Sequence, residues 1–391
     1  MTPRSATRNV SHVVGAIDFP PSTGGIQLYV SEMWGDGTVG TVTVFAPRAA
    51  GDANFDATFP GTVRRFPAGS ALGAIRYMAR ISAELPRWLR GNHVFHVTNV
   101  LLAPAFVPYL PLLRGRLIAW THALEMTHPK LQLPISLLLR NASHVVTVSE
   151  YSRALAIERG ARPDAIVKIS AGGDGLYRRF PNPSHSAFRA RFKISPDDFV
   201  ILTTGRLSSV NRYKGYDRAI EVAGLLLQRE RRFRWIVIGG GEDLAYYRAS
   251  VDRSGLNSHM QFVGEAGDEQ LSEAYAGCDL FVLLSREEMT RKGIMAEGYG
   301  IVYVEANSYG KPSLGLRRGG VPDAIIHERT GLLVDRDDAA SIADAIERLM
   351  VNDAARARFG EGGRERALGD ASWGTARERM RDMVADLSIR H

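Results

Sequence analysis

A single cysteine, Cys278, leaves no partner for an internal disulfide in a chain of 391 residues and points to a reducing compartment. Long hydrophobic runs are also missing. The longest apolar stretch, residues 100–113, carries Pro104, Pro108 and Pro111 and falls short of the ~20 residues a membrane-crossing helix needs. Residues 1–9 are polar, and the short apolar stretch after them runs into prolines, so no secretory signal is expected. No helix-turn-helix, RRM or zinc-ligand pattern accompanies the basic residues, which argues against a nucleic-acid partner. No Asp-x-Asp motif is read and no His/Cys cluster has ligand spacing, so no metal and no cofactor is expected. These absences describe a cytoplasmic protein, with the inner face of a membrane as a second possible station.

What is present is ordinary for a globular protein. Hydrophobic residues at 45% and charged residues at 23% exclude a disordered chain, and 39 glycines predict many tight loops. The net charge of +7 is unevenly spread: up to Phe180 there are 19 Lys and Arg against 11 Asp and Glu, while the remainder is close to neutral. Two readings stay open. Either the arginines simply keep the protein soluble, or the first half meets an anion such as a phospholipid surface, a diphosphate carrier or a charged glycan.

Short β-branched runs alternate with helical patterns, which predicts βα repetition and parallel sheets. Strands are expected at 12–18, 41–46, 94–98, 117–121, 144–149 and 165–169, and again at 199–204, 234–238, 260–263, 280–284, 312–315 and 331–334. The two sets read as two doubly wound units, residues 1–180 and 181–370, joined through a segment rich in Gly, Pro, Ser and Arg at 172–196. A last helical stretch, 371–391, is expected to return to the first unit. Ligands of open α/β sheets bind at the carboxyl ends of the strands, so the loops there are where chemistry is sought, with both sets facing a shared cleft.

After the first strand, Ser22-Thr23-Gly24-Gly25 opens a helix whose bare N–H groups suit an anion, or it is a plain tight turn. It lacks the third glycine of a dinucleotide fingerprint, and no GxGxxG with a following acid is read elsewhere, which sets a dehydrogenase aside. After the strand at 199–204 come Arg206 and Lys214, a fork and a point charge suited to a diphosphate, or else two solvated cations. The strand at 234–238 ends in Gly239-Gly240-Gly241, which permits close backbone approach. The most informative block holds Glu297 and Glu305 in Glu297-Gly298-Tyr299-Gly300-Ile301-Val302-Tyr303-Val304-Glu305. With a helix starting near Gly300, the N–H groups of Gly300, Ile301 and Val302 face outward to a phosphate. One carboxylate can then accept from sugar hydroxyls and the other from a ribose diol.

That block, followed by Gly-Lys-Pro at 310–312 and Gly-Gly-Val-Pro-Asp-Ala-Ile at 319–325, resembles the donor-binding segment of family 4 retaining glycosyltransferases with the GT-B fold. The motifs around Gly24, at 146–153, at Arg206 and Lys214, at Gly239 and at 262–285 extend the resemblance over most of the chain in the same order. Within the family it looks closest to bacterial phosphatidylinositol mannosyltransferases and polysaccharide-assembly mannosyl- or glucosyltransferases. The resemblance implies that Arg206 and Lys214 grip the donor diphosphate, Glu297 contacts the transferred sugar and Glu305 holds the ribose. It also implies that Gly24 and Gly25 face the phosphates and acceptor, that the loop around Val263 receives the nucleobase, and that His122 faces the sugar. His128 competes for that last role. The charged residues at 285–296, Glu287, Glu288, Arg291 and Lys292 among them, are either solvated or in contact with substrate.

The expected activity is transfer of a mannose- or glucose-type hexose from a UDP- or GDP-sugar to a glycan, lipid-linked or small-molecule acceptor, with retention and without metal. The alternatives are an inverting GT-B transferase, a nucleotide-sugar epimerase, and a non-catalytic binder of sugar nucleotides or glycans. At 70–90, Leu72, Ile75, Met78, Ser82, Leu85 and Leu89 fall near one helical stripe and Arg76, Arg80, Arg87 and Arg90 near another. This segment is either a helix covering the sheet or one lying on an anionic membrane, and Pro86 should end it.

Overall fold

The computed structural model describes residues 10–69, 71–291 and 293–388. Residues 1–9, Ser70, Lys292 and 389–391, which enter the expectations above, lie outside them. The chain divides into two units. One holds the residues up to Ala171 with Arg291–Gly293 and the segment from Trp373; the other holds Gly172–Thr290 and Ile294–Ser372.

The first unit is a parallel sheet of β1 (Ser11–Gly15), β2 (Thr41–Pro47), β3 (Thr62–Phe66), β4 (His93–Val97), β5 (Leu117–Thr121), β6 (His144–Thr147) and β7 (Ile166–Lys168). Its order is β3-β2-β1-β4-β5-β6-β7, so the winding reverses between β1 and β4. Val13, Val14, Phe95, Val97 and every residue of β5 are buried, as in sheets covered on both faces. β3 is not foreseen, because Thr-Val-Arg-Arg-Phe does not read as an apolar run. It forms the sheet's edge, where its arginines are paired: Arg64 with Glu84 and Arg65 with Asp56, both at 2.7 Å. Charge at an edge discourages pairing with other chains.

The helix Ala71–Glu84 gives way to a 3₁₀ turn, Leu85–Arg87, so Pro86 ends it as expected. Its buried face differs from the expected stripe. Tyr77, Ile81 and Leu85 are buried, and the Tyr77 hydroxyl donates to the carbonyls of Ala16 and Phe45, whereas Leu72 and Ile75 are 56% and 60% exposed beside Arg76 and Arg80. An aliphatic count leaves the tyrosine out, yet its hydroxyl is what finds partners at the strand ends. The helix Trp373–Ser388 packs on the helix Gly25–Trp34, with Arg377 held by Glu32 at 3.4 Å and Asp36 at 2.6 Å.

One glycine pattern needs correcting. Gly35, Gly37 and Gly40 do have the GxGxxG spacing, with Asp56 some way beyond. They end the helix Gly25–Trp34 and lead into β2, the reverse of the strand-to-helix context that binds a dinucleotide.

The remaining strands are β8 (Phe199–Thr204), β9 (Phe233–Ile238), β10 (Met260–Gly264), β11 (Leu280–Val282), β12 (Glu288–Thr290), β13 (Gly293–Met295, of which all but Gly293 belongs to the second unit), β14 (Ser313–Leu316) and β15 (Gly331–Val334). Six of them form a parallel sheet in the order β10-β9-β8-β11-β14-β15, reversing between β8 and β11; β12 and β13 pair separately. Both large sheets are doubly wound, as the βα alternation predicts. Among the described residues no helix is long and apolar enough to cross a membrane.

Candidate active site

In the second unit the chain leaves β8 through Gly205, and Arg206 stands exposed at the strand's carboxyl end. A 3₁₀ stretch, Ser209–Lys214, then leads into the helix Tyr216–Gln228. The glycine loop after β9 seats this segment. A Cβ on Gly239 would lie 1.8 Å from the Gly205 carbonyl oxygen, and one on Gly241 2.0 Å from that of Leu207. The Leu207 N–H donates to the Gly240 carbonyl at 2.8 Å, and Arg212 pairs with Asp243 at 2.8 Å. The close approach that Gly239 permits is therefore to protein backbone, and its own N–H donates to the Gly264 carbonyl at 2.8 Å.

Lys214 and Glu297, far apart in sequence, meet: Nζ lies 3.0 Å from Oε2, and the Ser285 hydroxyl donates to the same oxygen at 3.2 Å. Both charged side chains are only 15% exposed. Burial disfavours the Lys214 ammonium, but the Glu297 carboxylate, with Tyr213 and Tyr216 beside it, outweighs burial and holds the amine above its ordinary pKa. Lys214 thus stays charged. The Tyr216 hydroxyl donates to the Arg206 carbonyl at 3.3 Å, tying the two cation-bearing positions into one loop. Glu297 is fixed from its own backbone as well. The Gly320 N–H donates to the Glu297 carbonyl at 2.7 Å, and a Cβ on Gly320 would sit 2.0 Å from the Gly298 oxygen.

The helix Ile301–Ser308 begins just beyond, with Gly300 as its N-cap at φ +95° and no side-chain cap. The N–H groups of Ile301 and Val302 lie in the first turn, where no intrahelical acceptor exists, so this end suits an anion. Glu305 is one turn further. The Tyr275 hydroxyl donates to its Oε2 at 2.8 Å, and burial pushes the carboxyl up to about 7 against the pull of that hydrogen bond and of Arg179. Val263 sits in β10 where the register against β9 slips next to Gly264.

In the first unit Gly24 is the uncapped N-cap of the helix Gly25–Trp34. His122 follows β5 and is 9% exposed, with Nε2 2.8 Å from the Thr98 carbonyl oxygen. A carbonyl only accepts, so Nε2 donates in this contact. His128 has a buried Nδ1 without a hydrogen-bond partner. The charged stretch at 285–296 forms the β12–β13 pair, with Arg286 3.1 Å from Glu288 and Met289 79% exposed.

Ser285, Tyr275 and Gly320 lie within the motifs at 262–285 and 319–325, but nothing in those motifs assigns them these contacts, and sequence reasoning misses their parts. It also overlooks an Asp-x-Asp triplet, Asp335-Arg336-Asp337, which follows β15. There Asp335 pairs with Arg317 at 2.6 Å and Asp337 with Arg218 at 3.1 Å.

Residues 185–366 match the family model described as glycosyl transferases group 1. Over 381 residues the chain is 29% identical to the GDP-mannose-dependent alpha-(1-6)-phosphatidylinositol monomannoside mannosyltransferase of Mycobacterium tuberculosis, covering 94% of this chain and 96% of that protein. It is 30% identical over 216 residues to the D-inositol 3-phosphate glycosyltransferase of Saccharomonospora viridis, covering 53% of this chain and 47% of the other. Among solved structures, Anabaena HepE in complex with UDP and glucose superposes with a TM-score of 0.76 at 19% identity, covering 96% of this chain and all of that one. That last likeness is one of fold.

Proposed function

We propose that this chain is a family 4-type glycosyltransferase with the GT-B fold and that it moves mannose from GDP-mannose to an inositol-containing lipid acceptor, with retention and without a metal. The observation that carries the proposal is the Lys214–Glu297–Ser285 cluster lying directly before the uncapped helix start at Gly300. The choice of donor and acceptor draws on the near full-length mycobacterial relative.

In this reading the leaving diphosphate is met by Arg206, Lys214 and the N–H groups of Gly300, Ile301 and Val302. Fixed donors aimed at developing charge lower the barrier because they need no rearrangement as the bond breaks. Glu297 accepts from hydroxyls of the transferred sugar while anchoring Lys214. Glu305 accepts from the ribose diol, and the base lies by Val263, with Gly239 supporting the loop beneath the phosphates. In the first unit His122 contacts the sugar and the Gly24–Gly25 turn serves phosphates and acceptor. The acceptor hydroxyl attacks from the face the diphosphate leaves, and a phosphate oxygen takes its proton. The division of the chain at 180 and 370, with 371–391 joining the first part, belongs to the same proposal. Leu72 and Ile75, exposed among Arg76 and Arg80, support contact with an anionic membrane surface from the cytoplasmic side.

Incubation with GDP-mannose, UDP-glucose and inositol phospholipid tests this. GDP-mannose should be consumed and the product should show an α-anomeric coupling by NMR. No turnover of either donor, or a β-product, overturns it. A pH dependence follows from Glu305, whose carboxyl titrates near 7 in the empty site. Ribose hydroxyls donate to the ionised form, so GDP-mannose affinity should weaken by up to about tenfold per pH unit below 7. Glu305→Gln should flatten that profile between pH 5.5 and 8 in a calorimetric titration.

A further inference from the structure

A cavity lies in the same unit, on residues other than those of the candidate site. It encloses about 320 Å³ between Tyr177, Pro181, Pro183, His185, Tyr309 and Arg364, with Asn182 and Ala276 completing the wall. None of these residues is acidic. The Arg364 guanidinium is oriented by Tyr177, donating to its hydroxyl at 2.7 Å and lying 5.3 Å from its ring centroid. Neither Arg364 nor the nearby Lys311 forms an ion pair among the described residues. The local potential is positive enough to be felt by His185, which burial and then the charges of Lys311 and Arg189 hold below the usual histidine pKa. Three other arginines of this unit are matched to carboxylates: Arg189 to Asp279, Arg191 to Glu273, Arg179 to Asp268. Here the charge is left over, beside an apolar wall.

That wall is rigid. Tyr309 stacks on Tyr275 with ring centroids 5.8 Å apart and meets Tyr177 edge-on at 5.4 Å, while its hydroxyl donates to the Phe180 carbonyl at 3.3 Å. Unpaired cations next to a fixed apolar surface fit a ligand with an anionic head and a small apolar or sugar-like body, and the volume sits at the low end for small-molecule sites. We propose that this cavity is a second binding site, distinct from the donor pocket, that takes a small organic phosphate. Arg364 binds the phosphate, with Lys311 contributing to the field, and the body packs on Tyr309, Pro181 and Pro183.

The test is calorimetric titration of the full chain with phenyl phosphate and, separately, with inorganic phosphate. The proposal expects saturable binding of phenyl phosphate, weaker binding of inorganic phosphate, and at least a tenfold loss of phenyl phosphate affinity in Arg364→Ala. Arg364 is exposed, so this variant should keep its melting temperature. Binding should persist in Lys214→Ala, which separates this site from the donor pocket. No saturable binding, equal affinity for the two probes, or affinity lost in Lys214→Ala and kept in Arg364→Ala would each overturn it. A protein that fails to turn over GDP-mannose but still binds phenyl phosphate through Arg364 would sink the proposed function and leave this site standing.

Discussion

Lys214→Ala should lower kcat for mannose transfer by about 10²- to 10³-fold, the usual cost of removing one preorganised group that faces developing negative charge. The same substitution should also destabilise the protein, because it leaves the Glu297 carboxylate 15% exposed and without its cation. The two effects can be told apart. Adding Glu297→Gln to Lys214→Ala removes the stranded charge, so the double variant should recover much of the lost melting temperature and none of the lost turnover. Recovery of turnover along with stability would mean that Lys214 only holds the fold.

Acid should unfold the first unit through a pair of histidines that the chemistry does not use. Trp120 Nε1–H donates to His96 Nδ1 at 3.1 Å, His96 Nε2 faces His12 Nδ1 at 2.9 Å, and His12 Nε2 reaches the Val39 carbonyl at 2.9 Å. Read from the carbonyl backwards, every proton position is set: His12 donates to Val39, His96 donates to His12, and Trp120 donates to His96. Both rings must be neutral, since another proton on either would put N–H against N–H. Both are fully buried, and burial holds His12 at about 4 and His96 well below the usual value.

A histidine depressed in the folded state leaves stability intact above pH 6.5 and removes it as pH falls toward the folded pKa. In that window the unfolded chain binds protons that the native chain refuses. The expected loss is about 1.4 kcal/mol per histidine for each pH unit between 6.5 and 4. Urea unfolding at pH 7, 6 and 5 checks this, and His12→Asn should reduce the slope. A flat wild-type profile between pH 6.5 and 5 would contradict it.

How much of this was legible in the sequence depended on whether each signal was local. The strands β5, β8 and β15 match their expected ranges residue for residue, because apolar β-branched runs bounded by turns announce buried parallel strands. β3 and the β12–β13 pair are hidden by charge, since Arg64, Arg65 and Glu288 find carboxylate or arginine partners that the sequence does not display. The helix Ala71–Glu84 was visible, but its orientation was not. Tyr77 turns toward the carbonyls of Ala16 and Phe45, and that contact, not the aliphatic count, decides which face is buried.

The same division runs through the candidate site. Gly300 and the helix after it could be read from one short block, because a glycine followed by an apolar helix is a local pattern. The Lys214–Glu297, Ser285–Glu297 and Tyr275–Glu305 contacts could not, since each depends on the fold bringing together segments separated in sequence. Gly239 shows a further limit. Its need for close approach was legible, while the object of that approach, the Gly205 carbonyl, was not.

The central claim is that the cationic side chain held by Glu297 exists to hold a diphosphate. Calorimetric titration of wild type and Lys214→Ala with GDP and with guanosine addresses it directly. GDP affinity should fall at least tenfold in the variant while guanosine binding is unchanged; equal GDP affinity in the two proteins would contradict the account.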